Sequence, residues 1–364
     1  MTSLPVPGIY REEVRPRPPD PDPPTGVCAF LGVADRGPMY QATALERPES
    51  YEAVFGAGGY LDAAVGGFFG TGGRTCHGVR VSVADPDWLD RGLAALDAVP
   101  DADLLACPDL AAAPAEQRVA LQRALLDHCA ALGARFALLD SFPGADTAAV
   151  VAQRGELEGR FGALYHPWVQ LADGRVVPPC GHVAGTYARS DAVNGPSAAP
   201  ANQELTGVLD LVPPTAADLA ELTAAGVNPL RALPARGIRV WGARTLAGPD
   251  TPEWSSVGVS RLFVTVARWL DRIGAEFAFA PNDITLWVRI RRELTERLRQ
   301  LWRTRGLAGS GPATAFYVKC DAETNPPEVR DAGMVVTEIG LAPPVPAEFV
   351  VVRLVHQDGR TSPI

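Results

Sequence analysis

Leu104-Leu105-Ala106-Cys107, a helix-patterned run from Ala115 to Leu132, Phe136-Ala137-Leu138-Leu139, a second helical run over 146–160, and Ala163-Leu164-Tyr165 form the stretch that decides the fold. Each short apolar run reads as a strand, and each intervening segment is long enough to be a helix that crosses back over a sheet. Strand, helix, strand, helix, strand implies parallel pairing through right-handed crossovers, and so predicts an α/β domain.

Upstream, Val27-Cys28-Ala29-Phe30-Leu31-Gly32-Val33-Ala34 reads as a buried strand, ended by the turn Asp35-Arg36-Gly37-Pro38. Segment 50–70 reads as helix and loop. Gly56, Gly58, Gly59, Gly66, Gly67, Gly70, Gly72 and Gly73 invite a phosphate-loop reading, but no G-x-G-x-x-G occurs there and this half of the chain has no lysine for a Walker motif. Tight turns and close packing are the use expected of them. Downstream, Pro178 to Asp191 begins as a turn and continues as a small-residue helix, 194–202 is a loop, and Gly237-Ile238-Arg239-Val240-Trp241-Gly242 is a further strand.

The polar, proline-containing stretch from Ala247 to Pro252 marks a boundary, and the texture changes beyond it. Val259 to Ile273 reads as one helix. Pro281-Asn282-Asp283 starts a second, which runs to about Arg305 with Gly306 as its stop. On this helix Trp287, Ile290, Leu294, Leu298, Leu301 and Trp302 form an apolar stripe at three- and four-residue steps. Strands at Phe316–Val318, Met334–Ile339 and Glu348–Val355 close the chain and give this half an α+β character.

The extreme N-terminus reads as a hook on a stiff tether. Ile9-Tyr10-Arg11-Glu12-Glu13-Val14 is strand-like, and six of the ten residues from Arg15 to Pro24 are proline. Proline fixes φ, so such a tether stays extended at about 3.1 Å per residue and holds the hook roughly 30 Å from the body. A strand held so far out is placed to pair with the sheet edge of another molecule.

The 364 residues carry a formal charge of −9, with a pI near 5.2. That balance argues against nucleic-acid binding as the main role of the whole chain. The cations are almost all arginine, Lys319 being the one lysine. Cys28, Cys76, Cys107, Cys129, Cys180 and Cys320 are scattered with no C-x-x-C pair, as expected of reduced, buried thiols in a cytosolic chain. No basic segment followed by an apolar one opens the sequence, and no apolar run approaches the ~18 residues of a membrane span. Action outside the cell would then require release by lysis or export within a larger particle.

Hydrolytic chemistry needs a nucleophile, a base and an orienting acid. Ser141 after Asp140, His166, His182 and Ser190-Asp191 are the available pieces, and Asp109 and Asp140 fall at strand ends where open α/β sheets place ligands. No G-x-S-x-G elbow is present and no local signature joins a serine to a histidine, so Asp140 reads as a cap or turn residue and no catalytic residue is assigned. His77, His128, His166, His182 and His356 are widely spaced, which gives no metal site, and no cofactor is expected. The remaining signal is charge. Arginines 289, 291, 292, 297, 299, 303 and 305 stand against Glu293 and Glu296, and Arg289, Arg292, Arg299 and Arg303 fall opposite the apolar stripe, as either a solvated helix face or a docking surface for an acidic partner.

Seven segments together resemble contractile tail sheath proteins, the family that forms the outer cylinder of myophage tails, R-type pyocins and extracellular contractile injection systems. They are Pro7 to Glu13, Ala34 to Pro38, Gly181 to Asp191, Ala199 to Asn202, Gly237 to Leu246, Pro281-Asn282-Asp283 with Leu286-Trp287, and Phe316 to Asp321. The resemblance implies an α/β sheath domain of subtilisin-like topology over 25–246 and a C-terminal α+β sheath domain over 253–347. These lie between an N-terminal arm and tether, 1–24, and a C-terminal arm, 348–364. It implies a structural, non-enzymatic subunit that polymerises as stacked hexameric rings around an inner tube and contracts to drive the tube through a target envelope. The partners implied are further copies of the chain, the inner tube protein, and baseplate and tail-terminator proteins, with no nucleic acid and no membrane. Assembly is expected in the cytoplasm, as part of a phage tail or an extracellular particle freed by lysis.

The residues matching the arms are Ile9, Tyr10, Arg11, Glu12, Glu13 and Val14 at one end and Phe349, Val350, Val351, Val352, Arg353 and Leu354 at the other. Arg289, Arg292, Arg299 and Arg303 become the expected inner-tube contact. The chain is short beside large phage sheaths and similar to the compact sheaths of pyocins and injection systems. The alternatives are a sheath paralogue specialised for the baseplate or tail end, and a cytosolic α/β hydrolase.

Overall fold

The apolar runs of the first half become the centre of one large sheet in the computed structural model, which describes residues 22–213, 218–276, 280–344, 350–357 and 360–363. The strands are β1 (Cys28–Gly32), β2 (Ala42–Leu45), β3 (Cys76–Arg80), β4 (Leu104–Ala106), β5 (Phe136–Asp140), β6 (Gly162–His166), β7 (Trp168–Leu171), β8 (Val176–Val177), β9 (Val208–Val212), β10 (Asn228–Leu233), β11 (Gly237–Val240), β12 (Phe316–Lys319), β13 (Val335–Leu341), β14 (Val350–Gln357) and β15 (Arg360–Pro363). The helices are α1 (Pro48–Phe55), α2 (Gly59–Thr71), α3 (Trp88–Ala94), α4 (Arg118–Leu132), α5 (Thr147–Gly155), α6 (Cys180–Asn194), α7 (Leu219–Ala224), α8 (Val257–Glu276), α9 (Ile284–Arg303), α10 (Pro312–Ala315) and α11 (Pro327–Asp331).

The large sheet has the order β11-β10-β6-β5-β4-β1-β3-β2. Its six inner strands are parallel, and β2 and β11 join antiparallel at the edges. Period-two alternation sends its side chains to two separate cores, as a sheet covered on both faces requires. Phe30, Ala106, Leu138 and Tyr165 pack with α1, α2 and α6. Leu31, Leu105, Leu139 and Leu164 pack with α3, α4, α5 and α7. Glycine serves close packing on the first face: a Cβ on Gly181 of α6 would lie 2.2 Å from the Ala64 carbonyl of α2. A small sheet, β8-β7-β9, flanks this layer.

The second half builds an antiparallel sheet, β12-β13-β14-β15, against α8 and α9. Asp283 caps α9 by accepting from the backbone N–H groups of Thr285 (2.8 Å) and Leu286 (3.3 Å). Its stripe of Trp287, Ile290, Leu294 and Leu298 is buried, while Leu301 and Trp302, expected in the same stripe, are half-buried in the helix's last turn. The helix ends by donation from the Gly306 N–H to the Leu301 carbonyl at 2.9 Å. The left-handed residue of that stop is Arg305 (φ 63°). Gly306 is needed instead for its approach to Leu301, whose Cδ1 would lie 2.4 Å from an added Cβ.

Helix α8 touches all three cores. Val257 packs in the first, Val264 in the second, and Leu262, Phe263, Val266 and Leu270 in the third. Every residue from Val257 to Leu270 is buried, which leaves Arg261 only 1% exposed. The Arg261 guanidinium donates to Asp191 through Nη1 and Nη2, both at 2.6 Å, and through Nη2 to Asp103 at 2.8 Å. Burial alone would lower the Arg261 pKa, but the two carboxylates outweigh it and raise the value above the ordinary one. Removing the cation strands two buried acids, so Arg261→Met is expected to lower unfolding stability by about 3–5 kcal/mol in urea titrations. An unchanged midpoint and slope would contradict this role.

Candidate functional site

Two surfaces and one strand-end crevice qualify for scrutiny. The crevice lies at the C-terminal ends of the parallel strands, beside β1, where the chain first runs to β3 on one side and then to β4 on the other. Open α/β sheets bind ligands at such a switch point. Here it is closed by the chain itself, since Asp109, 4% exposed, accepts from the Val33 N–H at 3.0 Å. Gly32 is required beneath it, because a Cβ would lie 2.4 Å from the carboxylate. Burial pushes the Asp109 pKa up to about 6 against its backbone hydrogen bonds. A hollow of about 310 Å³ above it is lined by Tyr60, Arg175 and Val177. Arg175 is already paired there with Asp173 (2.7 Å) and Asp62 (3.5 Å).

The structure does join a serine to a histidine. Ser141, the residue after β5, and His166, the last residue of the neighbouring parallel strand β6, meet at 2.9 Å between Oγ and Nδ1. Both are 2% exposed, and the Trp168 indole donates to the Ser141 carbonyl at 2.7 Å. The cavity beside Ser141 is about 10 Å³, room for one water at most. Burial lowers the His166 pKa to about 4, opposed by the charge of Asp218. The pair therefore holds two strand ends together as a neutral hydrogen bond. His182 is likewise pushed to about 4 by burial against α2. The six cysteines are free and buried, and burial raises each thiol pKa. No helix among the described residues is long and apolar enough to cross a membrane.

The arginine face of α9 lies opposite its buried stripe. Arg289, Arg292 and Arg303 are exposed and Arg299 is half-exposed. Arg289 is paired with Glu293 at 3.5 Å and Arg299 with Glu296. Surface pairs of this kind contribute little, and they leave the face with a net positive charge. Arg292 and Arg303 make no ion pair among the described residues. Ile284 and Val288, 69% and 46% exposed, add an apolar patch at the start of the same helix.

Of the residues expected to form arms, Ile9 to Val14 and Phe349 lie outside the described residues. Val350 to Leu354 occupy β14, hydrogen-bonded to β13 on one side and, through Leu354, to β15 on the other. Val352 and Leu354 are buried, Val351 is exposed, and Arg353 pairs with Glu338 at 2.8 Å. The surface that sequence reasoning missed is the seat of residues 22–27. Its partners, Asp103, Asp191, Arg268 and Arg297, come from four separate segments and share no local motif.

A family model for the phage tail sheath protein central domain matches residues 83–246. The chain is 28% identical to a chain of the anti-feeding prophage (AFP) baseplate, covering 96% of this chain and 98% of that one with a TM-score of 0.75. It is 27% identical to a chain of the AFP helical sheath in contracted state, with 96% and 98% covered and a TM-score of 0.76. The sheath complex of the extracellular contractile injection system PVC, in contracted state, contains a chain 27% identical, with 96% and 97% covered and a TM-score of 0.74. The chain is similar to contractile sheath proteins over nearly its whole length. No curated protein matches it by sequence.

The sheath fold carries one pH-sensitive group whose effect is separable. Burial pushes the Asp140 pKa up to about 7, although Cys180 of α6 donates to it, and its Oδ1 has no hydrogen-bond partner among the described residues. A carboxyl raised from an unfolded value of about 3.9 stabilises fully below that pH and loses its contribution as pH rises toward 7. His166 and His182, lowered by burial, act in the opposite sense and lose stability as pH falls from about 6.5 toward 4. Asp140→Asn removes only the first slope. The stability difference between variant and wild type is expected to move in favour of the variant by about 2–3 kcal/mol between roughly pH 5 and pH 8, measured by urea unfolding. A pH-independent difference would show that the carboxyl ionises freely in the folded chain.

Proposed function

We propose that this chain is a repeating subunit of a contractile sheath, polymerised as stacked hexameric rings around an inner tube, whose contraction drives the tube through a target envelope. The observation that carries the reading is the likeness to the AFP and PVC sheath chains over nearly the full length of both partners. In this reading residues 25–246 form a domain of subtilisin-like topology, 253–347 a second α+β domain, and 1–24 and 348–364 the linking arms. The subunit acts by position and shape, without catalysis. It assembles in the cytoplasm and leaves by lysis within a phage tail or extracellular particle, where its further partners are baseplate and terminator proteins.

The arms work by strand exchange. Ile9 to Val14 supply one strand to a neighbour. Val350 to Leu354 sit in the chain's own sheet, so exchange at that end means that a neighbour's copy of β14 takes the same seat on β13, an isoenergetic swap of identical strands. Arg289, Arg292, Arg299 and Arg303 face an acidic inner tube, where exposed guanidinium groups add steering and salt-dependent affinity. A place at the baseplate is the second reading, favoured by the 28% identity to the AFP baseplate chain.

Co-expression with the tube and baseplate proteins of the same particle tests both points. Wild type is expected to give sheathed tubes by electron microscopy. Changing Arg289, Arg292 and Arg299 to Glu is expected to give bare tubes and a soluble subunit whose circular dichroism and melting are unchanged. Failure of the wild type to coat any tube would overturn the sheath reading, and normal sheathing by the triple variant would overturn the arginine contact.

A further inference from the structure

Residues 22–27, Asp22-Pro23-Pro24-Thr25-Gly26-Val27, run into β1 through a slot between α6 and α8. Four groups seat them. Asp22 pairs with Arg297 of α9 at 2.8 Å. The Pro24 carbonyl accepts from Arg268 Nη1 at 2.6 Å, and Nη2 of the same guanidinium reaches the Asp101 carbonyl at 2.8 Å. The Thr25 hydroxyl bonds Asp191. The Gly26 and Val27 N–H groups donate to the two oxygens of Asp103 at 3.1 and 2.8 Å. Gly26 has φ +75° and passes so close to α6 that a Cβ would lie 2.5 Å from the Ala188 Cα. Only glycine fits on both counts.

The same two carboxylates hold Arg261, and Arg261 and Arg268 stand two turns apart on α8. Pro23 and Pro24 have no N–H to offer a strand partner, so ahead of Val27, whose carbonyl accepts from the Asp103 and Leu104 N–H groups, the segment is held by side chains. Asp103 and Arg268 are 1% and 4% exposed. Charge-assisted bonds shielded from water are the strong kind.

We propose that this slot is the anchor of the N-terminal arm. It fixes the point and direction at which the arm leaves the body, and it passes tension on the arm through Asp103 and Arg268 to α8 and to the central strand together, so that β1 is not peeled from its sheet. The mechanical role rests on the reading that the arm links neighbouring subunits.

Single-molecule pulling on the isolated subunit tests the anchor without any assembly, with one handle on an N-terminal tag and the other at Asp127→Cys on the exposed side of α4. Wild type is expected to hold residues 22–27 until the body unfolds. Arg268→Met is expected to release them first, as an added step of about 20 Å of extended chain. Hydrogen exchange on the unmodified protein gives a second readout, the Gly26 and Val27 amides exchanging as slowly as those of β1. An early 20 Å step in the wild type, an Arg268→Met trace without one, or loop-like exchange at Gly26 and Val27 would each overturn the anchor. Normal polymerisation after removal of residues 1–14 would instead overturn the arm reading and leave the anchor standing.

Discussion

Arg261 between Asp103 and Asp191 is the contact on which the rest of this chain depends. It joins a helix of the second half to the loop before β4 and to α6 of the first half, at a point where none of the three groups meets water. A buried ion pair is weak evidence for net stability, because desolvation takes back much of the Coulomb attraction. Its value is specificity. The arginine makes three charge-assisted bonds to two carboxylates on different segments, and sliding α8 along the sheet would break them. The apolar contacts of α8 with three cores supply the free energy, and the ions fix the register.

That arrangement suits a mechanical subunit better than a chemical one. The strand ends that serve as active sites in other α/β proteins are occupied by the chain's own groups. Asp109 closes the switch point on the Val33 amide, and Ser141 and His166 satisfy one another beneath Trp168. The outward-facing features are an arginine-lined helix and an antiparallel sheet near the chain's end. Both belong to the half that Arg261 ties to the large sheet.

Much of this was legible in the amino-acid order and some was not, for identifiable reasons. The runs at Leu104, Phe136 and Ala163 read as parallel strands because strands buried on both faces are continuously apolar. The α9 pattern was equally plain, since one face is aliphatic or aromatic and the other is arginine. Strand β3, Cys-His-Gly-Val-Arg, carried no such run: it is short, and His77 points to Asp101. The small strands β7 to β9 and the edge β2 failed for the same lack of apolar length. Arg261 was invisible as a buried charge because its partners lie 70 and 158 residues away. The Ser141–His166 pair had a usable signal, since residues at the ends of adjacent parallel strands are neighbours in space. The slot for 22–27 had a weaker one, a lone glycine between a proline run and a strand.

The most direct test of the account is the structure of the assembled particle, determined in both its extended and its contracted state. The account predicts that Arg261 bridges Asp103 and Asp191 in each state, that residues 22–27 stay in their slot, and that the contacts between subunits change around them. A contracted or extended subunit in which that bridge is broken, or in which 22–27 has left the slot, would contradict it.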